Sequence, residues 1–383
     1  MKIAIFGPHD RNNYGDLLFP IMIEYAINVV NSKDYEFIKY SIVDSDLTNV
    51  GAYKSYGYKK FINQINEGEI DTIIVAGGES LGATWGRLYS YISPIYSYLY
   101  ENTRYATSKY IYPIVYKVLG AQSEFPFFIN KKDFKKEIKV IYNSVGGIPN
   151  DIKSNERFNH ADYFAIRINY NCADNNILIY PDSAIIMSDI FEKEKLIQTK
   201  YKGISNYVFF QVSKYKIQND IEDTIAELCK ILDNTKYNIV LCPIGLAKGH
   251  DDPVILKKIF LLLKHSYKNR VSLIEQPTIF DIMGFISNSA FYIGTSLHGV
   301  ITAMSYGVKY LALNPNQSKI VNYILTWTDF EITNFVSNTN DFYKNFKIID
   351  ACDEIHSKIL KSTNEQKMKY YESIKNIIRI IEK

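Results

Sequence analysis

AFYIGTSLHGVITAMSYGVKYLAL, residues 290–313, reads as strand, tight loop, helix and strand. Its ends, Ala290–Ile293 and Tyr310–Leu313, are short apolar runs of strand length. Between them Val300, Ile301, Ala303 and Met304 recur at helical spacing, and Gly307 stands where a helix would stop. The loop Gly294-Thr295-Ser296-Leu297-His298-Gly299 is therefore expected at the carboxyl end of a strand and the start of a helix. Such a place gathers backbone N–H groups without helical partners and the positive end of a helix dipole, so it suits a phosphate or carboxylate. Thr295 and Ser296 add hydroxyls, Gly294 and Gly299 let a ligand approach the backbone, and His298 adds an imidazole for proton transfer. The plainer account is that Ser and Thr before a helix cap it, and that a lone His is structural.

The loop, with what precedes it, resembles the signature of the polysaccharide pyruvyltransferase family, whose members carry a hydroxyl- or Arg-containing loop ending in Leu/Phe-His-Gly. Other stretches agree in order. Ile5-Phe6-Gly7 and Asn13-Tyr14-Gly15-Asp16 resemble its opening strand and turn, and Val75-Ala76-Gly77-Gly78-Glu79 its Gly-rich turn. Phe164-Ala165-Ile166-Arg167 resembles a strand ending in Arg, and Tyr180-Pro181-Asp182-Ser183 the Pro-Asp that follows. Cys242-Pro243-Ile244-Gly245 through His250-Asp251-Asp252 resembles a loop of the second half. Three positions depart from the pattern. Ser296 stands where many members have Arg, Glu79 closes the Gly-rich turn, and Arg167 is followed by Ile168 rather than Asp. Which cation holds the donor is thus open.

A chain of 383 residues points to two domains of ordinary size. With 47% apolar and 22% charged residues it reads as soluble and globular. A net charge of +3, without a local Lys/Arg cluster, argues against nucleic acid. Cys172, Cys229, Cys242 and Cys352 suggest neither a disulfide framework nor a metal knuckle, and a reducing cytoplasm fits. No apolar run approaches the ~20 residues of a membrane span, and the start is too short in apolar residues for a signal peptide.

The first half alternates strand and helix. Strands are expected at Lys2–Phe6, Glu36–Val43 and Thr72–Ala76, and helices from Asp16 to Val30 and from Tyr53 to Asn66. Parallel strands with right-handed crossovers follow, and ligands of such sheets sit beyond the carboxyl ends of the strands. Asp16 has two roles open there: proton acceptor from a hydroxyl, or helix cap. From Trp85 to Phe128 tyrosines crowd the chain, with Pro94 and Pro113 between them. Most are expected in amphipathic core helices, with sugar stacking or a membrane interface as the alternative. Trp85, near the Gly77-Gly78 turn, is the expected exception. Lys139–Ser144 and Tyr163–Ile168 are further strands, and Arg167 suits a carboxylate or phosphate.

A charged stretch within Ile186–Asn206 is expected to connect the domains. Beyond it, strands are expected at Tyr207–Val212, Tyr237–Cys242 and Val271–Ile274. Helices are expected at Asp220–Leu232, Asp252–Lys264 and Thr278–Ser287, with Asn219 and Thr278 as caps and Asp281 completing a capping box. Lys248 and His250 follow a strand end and are candidates to face the crevice of His298. Asn364–Lys383 reads as an amphipathic helix packing back on the core. The divisions expected are 1–190, 191–350 and 351–383.

The resemblance implies two Rossmann-like α/β domains facing across a cleft, a GT-B-like architecture, with the acceptor on the first and the donor on the second. It implies transfer of the pyruvyl group of phosphoenolpyruvate onto two hydroxyls of a sugar residue as a cyclic ketal, in cell-surface or capsular polysaccharide biosynthesis. The acceptor is free, nucleotide-linked or lipid-linked, and the place cytoplasmic, with peripheral contact at the inner membrane face open. On that reading His298 is the acid or guides phosphate out. The amides after Gly294, with Thr295, Ser296, Leu297 and Gly299, hold phosphate, and Arg167 and Lys248 hold the carboxylate. Asp16 or Glu79 takes a hydroxyl proton, with Asn13, Gly78 and Trp85 on the acceptor side. No step requires a metal or organic cofactor. Two alternatives stay open: a GT-B glycosyltransferase using a sugar nucleotide, and a non-catalytic saccharide-binding protein of the same fold. The helix after His298 lacks the ribose-binding Glu of many such transferases, which counts against the first.

Overall fold

The structure is a computed structural model describing residues 1–103, 106, 108–121, 123–147, 160–169, 177–196, 203–217, 220–247, 251–316 and 318–383. Lys248, His250, Asn219 and Cys172 lie outside the described residues. The chain forms two compact units, Met1–Ser183 with Met368–Lys383, and Ala184–Lys367.

The first unit is built on a sheet of β1 (Lys2–Phe6), β2 (Glu36–Tyr40), β5 (Thr72–Val75), β6 (Lys139–Val145), β7 (Tyr163–Ile166) and β8 (Leu178–Ile179). The order is β2-β1-β5-β6-β7-β8, with every pairing parallel. A small antiparallel pair, β3 (Ser45–Asp46) with β4 (Lys54–Ser55), stands beside it. That pair takes the first residues of the helix expected from Tyr53, which begins instead at Tyr58 behind an extended Gly57. Apolar residues cover both sheet faces, as a parallel sheet requires. Phe6 stacks on Phe61 at 4.3 Å between ring centroids, and Tyr58 meets Trp85 edge-on at 4.9 Å.

The tyrosine-rich stretch folds as three helices, Trp85–Ser90, Pro94–Asn102 and Ser108–Leu119. The core placement expected for most of its tyrosines does not hold in the second and third, where Tyr98, Tyr110 and Tyr116 are exposed. Helix Pro94–Asn102 turns Ser97 inward and leaves Ile95, Tyr98 and Leu99 exposed.

The second unit repeats the plan with β9 (Tyr207–Gln211), β10 (Asn238–Leu241), β11 (Val271–Leu273), β12 (Phe291–Gly294), β13 (Lys309–Leu313) and β14 (Val336–Ser337). Its order is β11-β10-β9-β12-β13-β14, again parallel. The chain runs outward from β9 to β11, then returns to lay β12 on the other side of β9. Strand order thus reverses between β9 and β12, where Gly294 is in register with Gln211. Sheets of this kind bind ligands at such a reversal. Thr278 caps helix Ile279–Ser287 in a full capping box with Asp281. The last helix, Glu354–Ile381, starts ten residues before the one expected from Asn364.

Candidate active site

At the reversal in the second unit, β12 passes through Thr295 and Ser296 into helix Leu297–Ser305. Ser296 is the N-cap, extended at φ −97° and ψ 127°, and its Oγ accepts the N–H of Gly299 at 3.3 Å. Thr295 is fully buried. Its N–H donates to Gln211 Oε1 at 3.2 Å, and its Oγ1 accepts the N–H of Ser213 at 3.2 Å. The hydroxyls read from sequence as ligand groups therefore have structural work, one capping the helix and one tying β12 to β9. Leu297 buries its side chain.

Gly294 and Gly299 also have a reason other than ligand approach. A Cβ at Gly299 would lie 2.0 Å from Tyr292 Oη and 2.4 Å from Tyr292 Cζ, and one at Gly294 would lie 2.5 Å from the same oxygen. The ring of Tyr292 fills the space under the loop, and its hydroxyl donates to the carbonyl of Ser296 at 3.3 Å. Glycine is required because the protein's own phenol is there. His298 occupies the second position of the helix, half-buried, with Nε2 shielded from bulk water.

Lys216, Lys319 and Gln211, not singled out from the sequence, complete this end of the sheet together with Asp252. Lys216 Nζ donates to the carbonyl of Thr295 at 2.9 Å. Burial, and next the charge of Lys319, push the Lys216 ammonium down to about 7, with Asp252 pulling the other way. Lys319 belongs to helix Ser318–Trp327, which follows β13. The site thus draws cationic groups from segments after β9 and β13, flanking the loop after β12. Gln211 Nε2 donates to Asp252 Oδ2 at 2.6 Å, an oxygen that also accepts the N–H groups of Ile244 at 3.1 Å and Gly245 at 2.8 Å. Burial raises the Asp252 carboxyl to about 6 against those hydrogen bonds. In the sequence Asp252 is visible as the end of a family-like loop and as a helix start. Lys216 is one of several lysines near a strand end, and only the β9–β12 pairing distinguishes it.

In the first unit, Asn13 is the N-cap residue of helix Tyr14–Val30, and Asp16 lies in its first turn. Asn13 Nδ2 donates to Asp16 Oδ2 at 2.9 Å, so these two candidates are brought together. Asp16 is not the cap. Glu79 and Arg167 also meet, at 2.9 Å, and Arg167 makes a second ion pair with Asp182 at 2.7 Å. Arg167 and Asp182 are 1% and 0% exposed at their side chains, whereas Glu79 is 38% exposed. The guanidinium is therefore held between two carboxylates of its own unit. Gly78 gives its carbonyl to the N–H of Gly146 at 2.7 Å. Trp85 is fully buried, its Nε1 donating to the carbonyl of Ser123 at 2.8 Å. The indole is core and offers no stacking face to a sugar. Lys248, the remaining candidate, lies outside the described residues.

With this geometry in hand, known proteins place the chain. No curated protein matches it in sequence. Solved structures match along nearly its whole length. S. aureus MnaA, in a co-structure with UDP, aligns at 12% identity and TM-score 0.55, covering 99% of this chain and 95% of that one. The Methanocaldococcus jannaschii UDP-GlcNAc 2-epimerase, in complex with UDP-GlcNAc and UDP, aligns at 10% identity and TM-score 0.56, covering 99% of each. The Rickettsia bellii UDP-N-acetylglucosamine 2-epimerase aligns at 11% and 0.57, covering 99% of this chain and 95% of its own. At these identities the likeness is one of fold: two Rossmann-like domains of GT-B type. The polysaccharide pyruvyl transferase family model matches residues 161–317, a span that holds Arg167, Lys216, Asp252 and His298. The chain therefore carries a polysaccharide pyruvyl transferase domain over residues 161–317.

Proposed function

We propose that the protein is a ketal pyruvyltransferase, moving the pyruvyl group of phosphoenolpyruvate onto two hydroxyls of one sugar residue of a polysaccharide precursor. The observation that carries this reading is the family match across the His298 loop, at the strand reversal of the second unit. The reaction protonates the enol methylene carbon, which leaves positive character on the adjacent carbon. A sugar hydroxyl adds there, the C–O bond to phosphate breaks, and the second hydroxyl closes the ketal. One hydroxyl proton balances the new C–H bond, and the other leaves with phosphate.

His298 supplies the proton to carbon or escorts the departing phosphate. The first-turn amides of helix Leu297–Ser305 that the Ser296 cap does not take bind the phosphate, as helix starts do. Lys216, beside Thr295, is assigned the cationic role in preference to Arg167, which two carboxylates already hold, with Lys319 adding charge. In the first unit, Asp16 is assigned the hydroxyl proton in preference to Glu79, whose charge is matched by Arg167. The test is release of inorganic phosphate from phosphoenolpyruvate across a panel of saccharide precursors, beside calorimetric titrations with phosphoenolpyruvate and with UDP-sugars. Phosphate release that depends on an acceptor supports the reading. Heat with UDP-sugars alone replaces it with sugar transfer.

A further inference from the structure

Two helices of the first unit are apolar on the wrong side. On Pro94–Asn102, Ile95, Tyr98 and Leu99 follow the i, i+3, i+4 spacing that normally marks a buried stripe. Here they are 47–78% exposed, and the residue turned inward is Ser97. On Ser108–Leu119, Ile111, Val115 and Leu119 repeat every four residues and pack against the core. Tyr110, Ile114 and Val118 repeat with the same period one position earlier, and are 56–72% exposed. This helix has a second apolar stripe that the unit does not use.

Charge says what covers it. Helix Ser108–Leu119 contains no acidic residue, and its Lys109 and Lys117 are exposed. Across residues 94–119 three basic residues stand against one acidic. Lys117 falls within the stripe itself, one turn beyond Ile114. A lysine there suits a surface where its stem lies among apolar groups while its ammonium reaches outward to phosphates. The buried centre of a protein–protein interface is depleted in lysine. Tyr98 and Tyr110 pair an apolar ring with a polar tip, which suits the headgroup level of a bilayer. The helices have 9 and 12 residues, well short of the ~20 that span a membrane. No helix among the described residues is long and apolar enough to cross one.

We propose that helices Pro94–Asn102 and Ser108–Leu119 form a docking face for an anionic phospholipid surface. Ile95, Leu99, Ile114 and Val118 enter the acyl boundary, and Lys109 and Lys117 meet lipid phosphates. This inference stands apart from the chemistry proposed above, and its test reads no activity. The full chain is floated with vesicles of phosphatidylcholine alone and of phosphatidylcholine with phosphatidylglycerol. It is expected to rise with the anionic vesicles at low salt, and to release them at high salt. Lys109→Gln and Lys117→Gln should each weaken binding about fivefold. Leu99→Glu with Ile114→Glu should abolish it, with the melting temperature unchanged. The proposal is overturned if the chain floats with neither vesicle, or if the lysine variants bind like the parent. It also falls if the parent is a dimer that the double glutamate variant converts to monomer, since a second copy would then cover the face.

Discussion

His9 Nδ1 lies 3.0 Å from the carbonyl oxygen of Asp16, the acceptor that Pro20 leaves unserved. Pro20 sits inside helix Tyr14–Val30, four residues after Asp16, and has no N–H to give it. A carbonyl only accepts, so Nδ1 carries the hydrogen. The imidazole replaces a missing helix bond, and His9 is fully buried to do so. His9→Ala should cost about 1–3 kcal/mol in urea denaturation by stranding that carbonyl, and His9→Gln should recover part of it.

The same residue sets an acid limit. Burial drives the His9 imidazole down from 6.5 to about 3, with Arg11 and Lys39 adding to the shift. The unfolded chain takes up this proton below about 6.5 and the folded one does not until about 3. The stability from this group is therefore full above 6.5 and lost as pH falls through that window, on the order of 5 kcal/mol at most. Stability curves from pH 7 to pH 4 should flatten in His9→Gln.

Asp252 acts in the opposite sense. Burial raises its carboxyl from 3.8 to about 6, so the folded chain holds the proton longer than the unfolded one. Its contribution is complete below 3.8 and lost as pH rises through about 6, by about 3 kcal/mol. In Asp252→Asn the loss of stability with falling pH should steepen, because the opposing group is gone. An unchanged slope would show that the carboxyl does not titrate in this range.

Arg167 is predicted to be structural. Arg167→Met leaves Asp182 charged and buried without its partner, a change that typically costs ~3–5 kcal/mol. Adding Asp182→Asn should restore part of the loss. Arg167→Lys should leave phosphoenolpyruvate affinity within about twofold of the parent, and a large fall in affinity would return Arg167 to the donor site.

Lys216 is predicted to bind the donor and to couple that binding to protons. Its ammonium is held down at about 7, and a bound anion favours the charged form. Near pH 8 phosphoenolpyruvate binding should therefore take up a proton, seen as a dependence of binding heat on buffer ionisation enthalpy. Lys216→Met should weaken binding by about 10- to 100-fold, the worth of a charge-assisted hydrogen bond, and abolish the uptake.

The parts legible in the sequence were those written in local pattern. Alternating apolar runs gave the parallel strands, Thr278 and Asp281 their capping box, and the His298 loop its place after β12. What stayed hidden depends on which strands become neighbours. Lys216 meets Thr295 only because β9 pairs with β12, and Arg167 meets Glu79 only across the loops after β7 and β5. Trp85 lies near the Gly77-Gly78 turn in sequence, but its packing against Tyr58 decides its burial. The exposure of Tyr98 is hidden for a related reason. Periodicity marks an apolar stripe but not which side the core lies on, and Ser97 rather than Leu99 turned inward.

The proposed role of the His298 imidazole in pyruvyl transfer is open to a single comparison. Acceptor-dependent phosphate release from phosphoenolpyruvate is measured for the parent chain and for His298→Ala, with melting temperature as the control for folding. Loss of a positioned proton donor predicts a fall of about 100- to 10,000-fold in rate with the fold intact. A folded His298→Ala protein that releases phosphate at the parent's rate would contradict the assignment.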